Sequence, residues 1–251
     1  MKLLDLTLAT PADNLACDEA LLNWCESGDG GETLRFWEPR EHFVVVGYAN
    51  KVEREVNVAA CRANEIPIFR RCSGGGTVLQ GPGCLNYALI LDITERPHLA
   101  TISSVNKFIM ERNAKAIESE LGSQTSEASV SVRGHTDLAL AVGGTPVTLK
   151  KFSGNSQRRH KHVLLFHGTF LLYLDLSLMT RFLRMPSQQP DYRRQRSHAE
   201  FLTNLDLPAS RVKDALRKAW KVTGELPDFP ARETSRLAAE KYSSPEWNFK
   251  S

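Results

Sequence analysis

The residues best suited to chemistry lie in one run, Arg70-Arg71-Cys72-Ser73-Gly74-Gly75-Gly76-Thr77. Three consecutive glycines weaken any regular element, by about 1 kcal/mol each relative to alanine. In return they give a backbone that can press against a ligand and aim its N–H groups at it. The two arginines before them add fixed positive charge suited to phosphate or carboxylate. The run is not a P-loop, because no Gly-Lys-Ser/Thr follows. Nor is it a dinucleotide-binding Gly-x-Gly-x-x-Gly, because Gly81 precedes Pro82 rather than a helix. A flexible surface turn is the competing reading. A second constellation is Lys150-Lys151-Phe152-Ser153-Gly154-Asn155-Ser156. A lysine at a strand end followed by Ser-Gly can hold a phosphate or polarise a carbonyl; otherwise a lysine pair is a solvated surface feature. Asp137, in His135-Thr136-Asp137-Leu138, offers a carboxylate to Mg2+ beside phosphates or forms a turn. His167-Gly168-Thr169 sits in an apolar run, where a lone histidine more often packs than catalyses.

The elements that must position these groups can be read from periodicity. Asn14–Cys25 has helical spacing, with Asp13 or Asn14 as cap. Strand-like runs follow at Thr33–Trp37 and His42–Gly47, then a helix at Val52–Asn64 and a short strand at Ile66–Arg70 that feeds the glycine run. Val78–Leu79 and Leu85–Leu91 continue as strands. Ser103–Leu121 is the strongest helix, with Ser104 as N-cap and Gly122 as C-cap. Leu138–Val142, Val147–Phe152 and Val163–Leu174 read as strands, the first two joined by a Gly143-Gly144 turn. Leu176–Phe182 and Ala209–Thr223 read as helices. Strands with short connections and grouped helices predict an α+β fold rather than a doubly wound sheet.

Composition bounds the rest. A chain of 251 residues with 41% hydrophobic and 24% charged residues makes one generous globular domain. A net charge of +3 is too small to argue for nucleic acid. The clusters Arg158-Arg159-His160-Lys161-His162 and Arg193-Arg194-Gln195-Arg196 lack the aromatic interleaving of a single-strand platform. They read as solvated faces, or as docking charge for an acidic partner. His160 and His162 have no third ligand nearby, so no structural metal is expected. No signal peptide and no membrane-length apolar run is apparent. The five cysteines (Cys17, Cys25, Cys61, Cys72, Cys84) include no Cys-x-x-Cys, as expected of reduced thiols in a cytoplasmic protein.

Taken in order, the motifs resemble the lipoate–protein ligase family, within the wider biotin ligase and octanoyltransferase superfamily. Asn14-Leu-Ala-x-Asp18-Glu-Ala-Leu21 is similar to the family's first helix. Leu34-Arg-Phe-Trp37 and Val46-Gly-Tyr-Ala-Asn50 are similar to its first hairpin. Arg70-Arg-x-Ser-Gly-Gly-Gly76 is similar to its lipoate loop. Gly83-x-Leu-Asn86, Thr136-Asp-Leu138, Lys151-x-Ser-Gly-Asn-Ser156, His167-Gly-Thr169 and Ser244-Pro-Glu-Trp-Asn-Phe249 follow in register. The resemblance implies mixed sheets flanked by helices in a single catalytic domain over residues 1–251. It also implies a two-step reaction: lipoate (or octanoate) and ATP form an acyl-adenylate, and a lysine of an acceptor domain then takes the acyl group.

On that resemblance Lys151 is the catalytic residue, contacting the acyl carbonyl and the α-phosphate. Arg70, Arg71, Ser73, Gly74, Gly75, Gly76, Thr77, Val78, Leu79, Asn86, Asp137, Ser153, Gly154, His167, Gly168 and Thr169 bind substrate and ATP, and Asp137 contacts Mg2+. Leu79, Leu138 and Phe170 would wall an exclusive acyl pocket. The implied partners are an acidic lipoyl-acceptor domain and a separate accessory subunit, with neither nucleic acid nor membrane. Two departures stand out: Gln80 occupies a position where the family often has His, and no C-terminal accessory domain precedes Ser251. The alternatives are an ATP-independent lipoyl or octanoyl transferase and a non-catalytic lipoate-binding protein. Transferases resembling this chain carry the acyl group on a cysteine in the second half of the domain. Here none follows Cys84, which favours adenylation. A biotin ligase's Gly-Arg-Gly-Arg loop is absent.

Overall fold

The computed structural model describes residues 1–122, 129–143 and 147–250. The principal elements are β1 (Lys2–Asp5), α1 (Pro11–Glu26), β2 (Thr33–Trp37), β3 (Phe43–Val46), α2 (Val52–Glu55), α3 (Val58–Ala63), β4 (Ile68–Arg70), β5 (Val78–Gln80), β6 (Cys84–Asp92), α4 (Ile102–Gly122), β7 (Val130–Arg133), β8 (Asp137–Val142), β9 (Thr148–Arg159), β10 (Val163–Leu171), α5 (Ser177–Phe182), α6 (His198–Phe201), α7 (Ala209–Ala219), α8 (Ala231–Leu237) and α9 (Pro245–Asn248). Seven strands form the main sheet in the order β1-β2-β6-β10-β9-β8-β7, and three form a second sheet, β4-β3-β5. Pairing is antiparallel except for β1 with β2 and β3 with β4. This is the expected α+β class, mixed sheets flanked by helices.

The two central strands, β6 and β10, are apolar on both faces because both faces are covered. Leu85, Tyr87, Leu89, Leu164, Phe166 and Phe170 pack with the Val105–Ile109–Ile117 stripe of α4 and with Val212 and Leu216 of α7. Ala88, Ile90 and Leu165 point the other way, onto Cys17, Leu21 and Leu22 of α1. Each fully buried Leu or Phe contributes about 1.5–3 kcal/mol. Helix α1 begins at a reciprocal cap: the Thr10 hydroxyl accepts from the Asp13 N–H, and the Asp13 carboxylate accepts from the Thr10 N–H. Cover by α1 stops short of the far ends of β6 and β10. There Asn86, His167 and Thr169 share its face of the sheet, with Gly154 and Ser156 beside them on β9.

The structure differs from expectation in several places. Thr33–Trp37 and His42–Gly47 do not form a hairpin: β2 joins the main sheet and β3 the small one. The expected helix at Val52–Asn64 breaks, because Val56 makes a strand bridge to Leu183 and the Asn57 side chain caps α3. Strands β1 and β7, four residues each, carry too little pattern to be read. Strands β8 and β9 pair as expected, but Gly144 of their predicted turn lies outside the described residues. No described helix is long and apolar enough to cross a membrane.

Candidate active site

The glycine loop spans β4 to β5 and is held from its carbonyl side. Arg71 reaches forward: its Nη2 donates to Gly74 O and Gly76 O at 2.6 Å, and its Nε to Ser73 Oγ at 3.1 Å. Ser156 Oγ donates to Gly74 O (2.8 Å), and Asn50 Nδ2 to Gly75 O (3.1 Å). Gly47 must be glycine, since a Cβ there would lie 2.1 Å from Gly75 O. With all three carbonyls taken, the N–H groups of Gly74, Gly75 and Gly76 have no partner among the described residues. Gly75 sits at φ +83°, which reverses its peptide and favours glycine. Successive N–H groups presented this way suit an anion or a developing oxyanion.

Both arginines are bonded within the chain. Arg70 is fully buried and donates to the carbonyls of Gly47, Tyr48, Asn50, Trp247 and Lys250. It ties the loop's base to the C-terminal segment. Burial pulls the Arg71 guanidinium down to about 10. In the structure both guanidinium groups are engaged by the chain's own carbonyls.

Behind the loop runs a buried relay. Ser73 Oγ lies 2.6 Å from His167 Nε2, and His167 Nδ1 lies 3.1 Å from Asp18 Oδ2. Asp18 Oδ1 pairs with Arg35 Nη1 at 2.5 Å, and Arg35 also donates to Asn14 Oδ1. Burial alone would raise the Asp18 carboxyl, but Arg35 and His167 more than offset it and hold it below its ordinary value. An ionised Asp18 assigns the proton to Nδ1. In the neutral imidazole Nε2 is then the acceptor, and the Ser73 hydroxyl donates to it. The spacing of Asn14 and Asp18, one helical turn, puts both on the α1 face that meets Arg35.

Lys151, half-buried, and Asp137, buried, form the second half of the site. Their Nζ and Oδ1 are 2.7 Å apart, and Tyr192 OH donates to Asp137 Oδ2 at 2.9 Å. A bulge opposite Leu138–Ala139 breaks the alternation of β9, sending Phe152 to the core while Lys151 lies over Gly154. A Cβ at Gly154 would come within 2.7 Å of Lys151 Nζ. Asn155 fastens this hairpin to the core, donating to Thr136 O and accepting from Tyr87 OH. The far end of β9 meets the glycine loop, through the Ser156–Gly74 bond. Gly154 and Ser156 are two residues apart on one face, about 7 Å along a strand.

The other expected residues fall into place around this axis. Asn86, Gln80 and Thr169 close a ring: Gln80 Nε2 donates to Thr169 Oγ1, Thr169 Oγ1 to Asn86 Oδ1, and Asn86 Nδ2 to Gln80 Oε1. Gln80, the departure in the sequence, is a member of this network. Gly168 must lack a side chain, since a Cβ would collide with the Asn155 amide. Ser153 is buried, and Thr77 and Val78 are half-buried. Leu79, Leu138 and Phe170 do not wall a pocket; each is packed in a hydrophobic core. The Arg193–Arg196 cluster is structural too: Arg193 is buried, and Arg196 donates to Leu149 O and Tyr192 O.

Three further observations bear on chemistry. All five cysteines are free and buried, and burial pushes Cys72 and Cys84 up to about 12 and Cys25 up to about 11. None is a ready thiolate at neutral pH. Asp137, the expected Mg2+ contact, has both oxygens engaged, and no three His, Cys, Asp or Glu converge as a metal site among the described residues. Sequence reasoning gave no role to Tyr192, Asn155 or Arg35, whose partners lie far away along the chain.

Comparison with known proteins places this geometry. The model for the lipoyl protein ligase A/B catalytic domain matches residues 10–220. Octanoyltransferase LipM of Bacillus subtilis is 30% identical over 281 residues, spanning 99% of this chain and 98% of that protein. LipM of Geobacillus kaustophilus is 27% identical over 277 residues, with 99% and 98% spanned. The solved bi-partite lipoate protein ligase of Thermoplasma acidophilum matches with a TM-score of 0.80 at 24% identity, over 99% of this chain and 95% of that one, a likeness of fold. The ATP-dependent, adenylate-forming ligase expected from the motifs is corrected by these relatives. The LipM relatives, aligned from end to end, are octanoyltransferases by name, which favours the transferase alternative, although the lipoate-protein ligase A subunit 1 of Thermoplasma acidophilum aligns over 97% of this chain at 26% identity. The lack of a cysteine after Cys84 misdirects the reading, since a missing thiol excludes only a thiol nucleophile. The chain belongs to the lipoyl protein ligase A/B catalytic domain family.

Proposed function

We propose that this enzyme transfers an octanoyl or lipoyl group from an acyl bond on one carrier protein to a lysine side chain of an acceptor domain, without ATP. The observation that carries this reading is the Lys151–Asp137 pair, set along one face of β9 from a loop whose N–H groups are unpartnered. Acyl transfer passes through a tetrahedral species whose oxygen becomes negative. The glycine-loop N–H groups and the Lys151 ammonium supply the positive field, and losing one such donor costs about 100- to 1000-fold in rate. Asp137, steadied by Tyr192, orients Lys151 toward the reacting carbonyl. End-to-end likeness to octanoyltransferases supports the substrate class.

The acceptor domain docks beside the loop on a basic and aromatic surface. Tyr48 is exposed, its N–H donates to Ser73 O, and the Lys250 ammonium (3.4 Å) and the Arg158 guanidinium (5.8 Å) lie over its ring. Such a surface suits an acidic partner, steered by charge. The reading is tested by the mass of the acceptor domain after incubation with an octanoylated carrier and no nucleotide. One added octanoyl group is expected. An unchanged acceptor would overturn the reading.

A further inference from the structure

Transfer without ATP needs either direct attack of one carrier on the other or an acyl-enzyme, and the five cysteines are unsuited to the second. The relay behind the glycine loop offers a different nucleophile. Resting on the function proposed above, we propose that Ser73 is the acyl carrier, with His167 as its base and Asp18 as the residue that positions His167. The distances are those of a hydroxyl primed for attack: 2.6 Å from Ser73 Oγ to His167 Nε2, and 3.1 Å from His167 Nδ1 to Asp18 Oδ2. The roles match a Ser-His-Asp triad, which is recognised by geometry rather than by chain position. Arg71 Nε donates to Ser73 Oγ and stabilises negative charge on it. The next N–H groups along the chain, those of Gly74 and Gly75, are unpartnered and stand where an oxyanion forms beside a nucleophile. Ser73 is buried, but the three glycines after it are exposed, and open space surrounds the α-carbons of Gly74 and Gly76. Acylation requires the loop to move far enough to uncover the hydroxyl of Ser73, a residue 1% exposed.

The chemistry balances for a thioester donor. Ser73 Oγ attacks the acyl carbon and His167 Nε2 takes its proton. The C–S bond breaks, and the departing thiol receives that proton. The acceptor lysine, as a neutral amine, then attacks the O-acylserine. A C–N bond forms, the C–O bond breaks, and one amine proton returns through His167 Nε2 to Ser73 Oγ. Thioester to ester to amide runs downhill at each step.

The test uses the full chain in two arms, an octanoyl-thioester carrier without acceptor and p-nitrophenyl octanoate. Intact and peptide masses are read in both. Wild type should gain one octanoyl group on the peptide bearing Ser73, removable by hydroxylamine and by added acceptor domain. Ser73→Ala should lose the adduct and about 1000-fold in transfer rate, with an unchanged circular dichroism spectrum. Ser73→Cys should carry the group on the same residue, which guards against a folding artefact. No adduct, an adduct on Lys151, or Ser73→Ala transferring at the wild-type rate would each overturn Ser73 as carrier. If Ser73 is acylated by p-nitrophenyl octanoate yet no acceptor lysine is ever modified, the assignment of Ser73 stands and the proposed transferase function fails.

Discussion

The two halves of the site are built on opposite plans. Ser73, His167, Asp18 and Arg35 are buried and bonded to one another across α1, β2, β10 and the glycine loop, with Arg35 Nε left without a partner. Around the Lys151–Asp137 pair the cover is looser: Asp137 is buried but Lys151 and its neighbour Tyr192 are half-buried, and the pair lies on a bulged hairpin whose turn contains residues outside those described. A buried network fixes geometry at high cost if broken, because low dielectric strengthens each bond and penalises each orphan. A partly accessible pair is worth less to folding than a fully buried network and can adjust to a substrate. The difference implies that substitutions in the first half should be read in stability and those in the second in rate.

The largest effect is expected from Arg35→Met. It leaves the Asp18 carboxylate buried without its guanidinium, a loss of about 3–5 kcal/mol, measured by urea denaturation. If stability fell by less than 1 kcal/mol, the first half would not be a fixed network. Lys151→Ala should cut transfer about 100- to 1000-fold, roughly 3–4 kcal/mol in the barrier, while thermal stability barely moves. A Tyr192→Phe variant removes one hydrogen bond to Asp137 and should slow transfer about fivefold, corresponding to about 1 kcal/mol. Its readout is kcat rather than KM, since Tyr192 acts through the Lys151–Asp137 pair.

A fourth expectation concerns pH. The Asp18 carboxyl is depressed in the folded chain, so the unfolded state binds its proton more readily. The stability it supplies is therefore present above the unfolded carboxylate pKa, near 4, and is lost as pH falls through the folded value. Asp18→Asn should lose this part of the acid sensitivity, read as a flatter stability–pH curve in that range. The smallest effect belongs to the surface: raising salt should raise the acceptor's KM severalfold, with Arg158→Ala reducing that salt dependence.

How far the sequence foretold this division follows from the range of the interactions. The strand cores and the long helix are local patterns, and α4 at Ile102–Gly122 overlaps its expected span nearly throughout. The glycine run and Lys151 were legible because residue type and order alone make them unusual. What sequence could not supply is pairing across the chain. Arg35 meets Asp18 across 17 residues, Tyr192 meets Asp137 across 55, and Ser73 meets His167 across 94. Arg70 and Arg71 looked like anion binders because charge beside glycine suits a ligand. Their bonds to loop carbonyls appear only once the chain turns back on itself. Leu79, Leu138 and Phe170 looked like pocket walls for a related reason: an apolar residue near a motif does not reveal which face of its strand the core takes.

The central claim is that this enzyme moves an existing acyl bond. The most direct test compares two initial rates of acceptor-lysine acylation by the purified chain: from an octanoyl-thioester carrier without nucleotide, and from free octanoate with ATP and Mg2+. The account predicts rapid acylation in the first and none in the second. Acylation only in the second would contradict it.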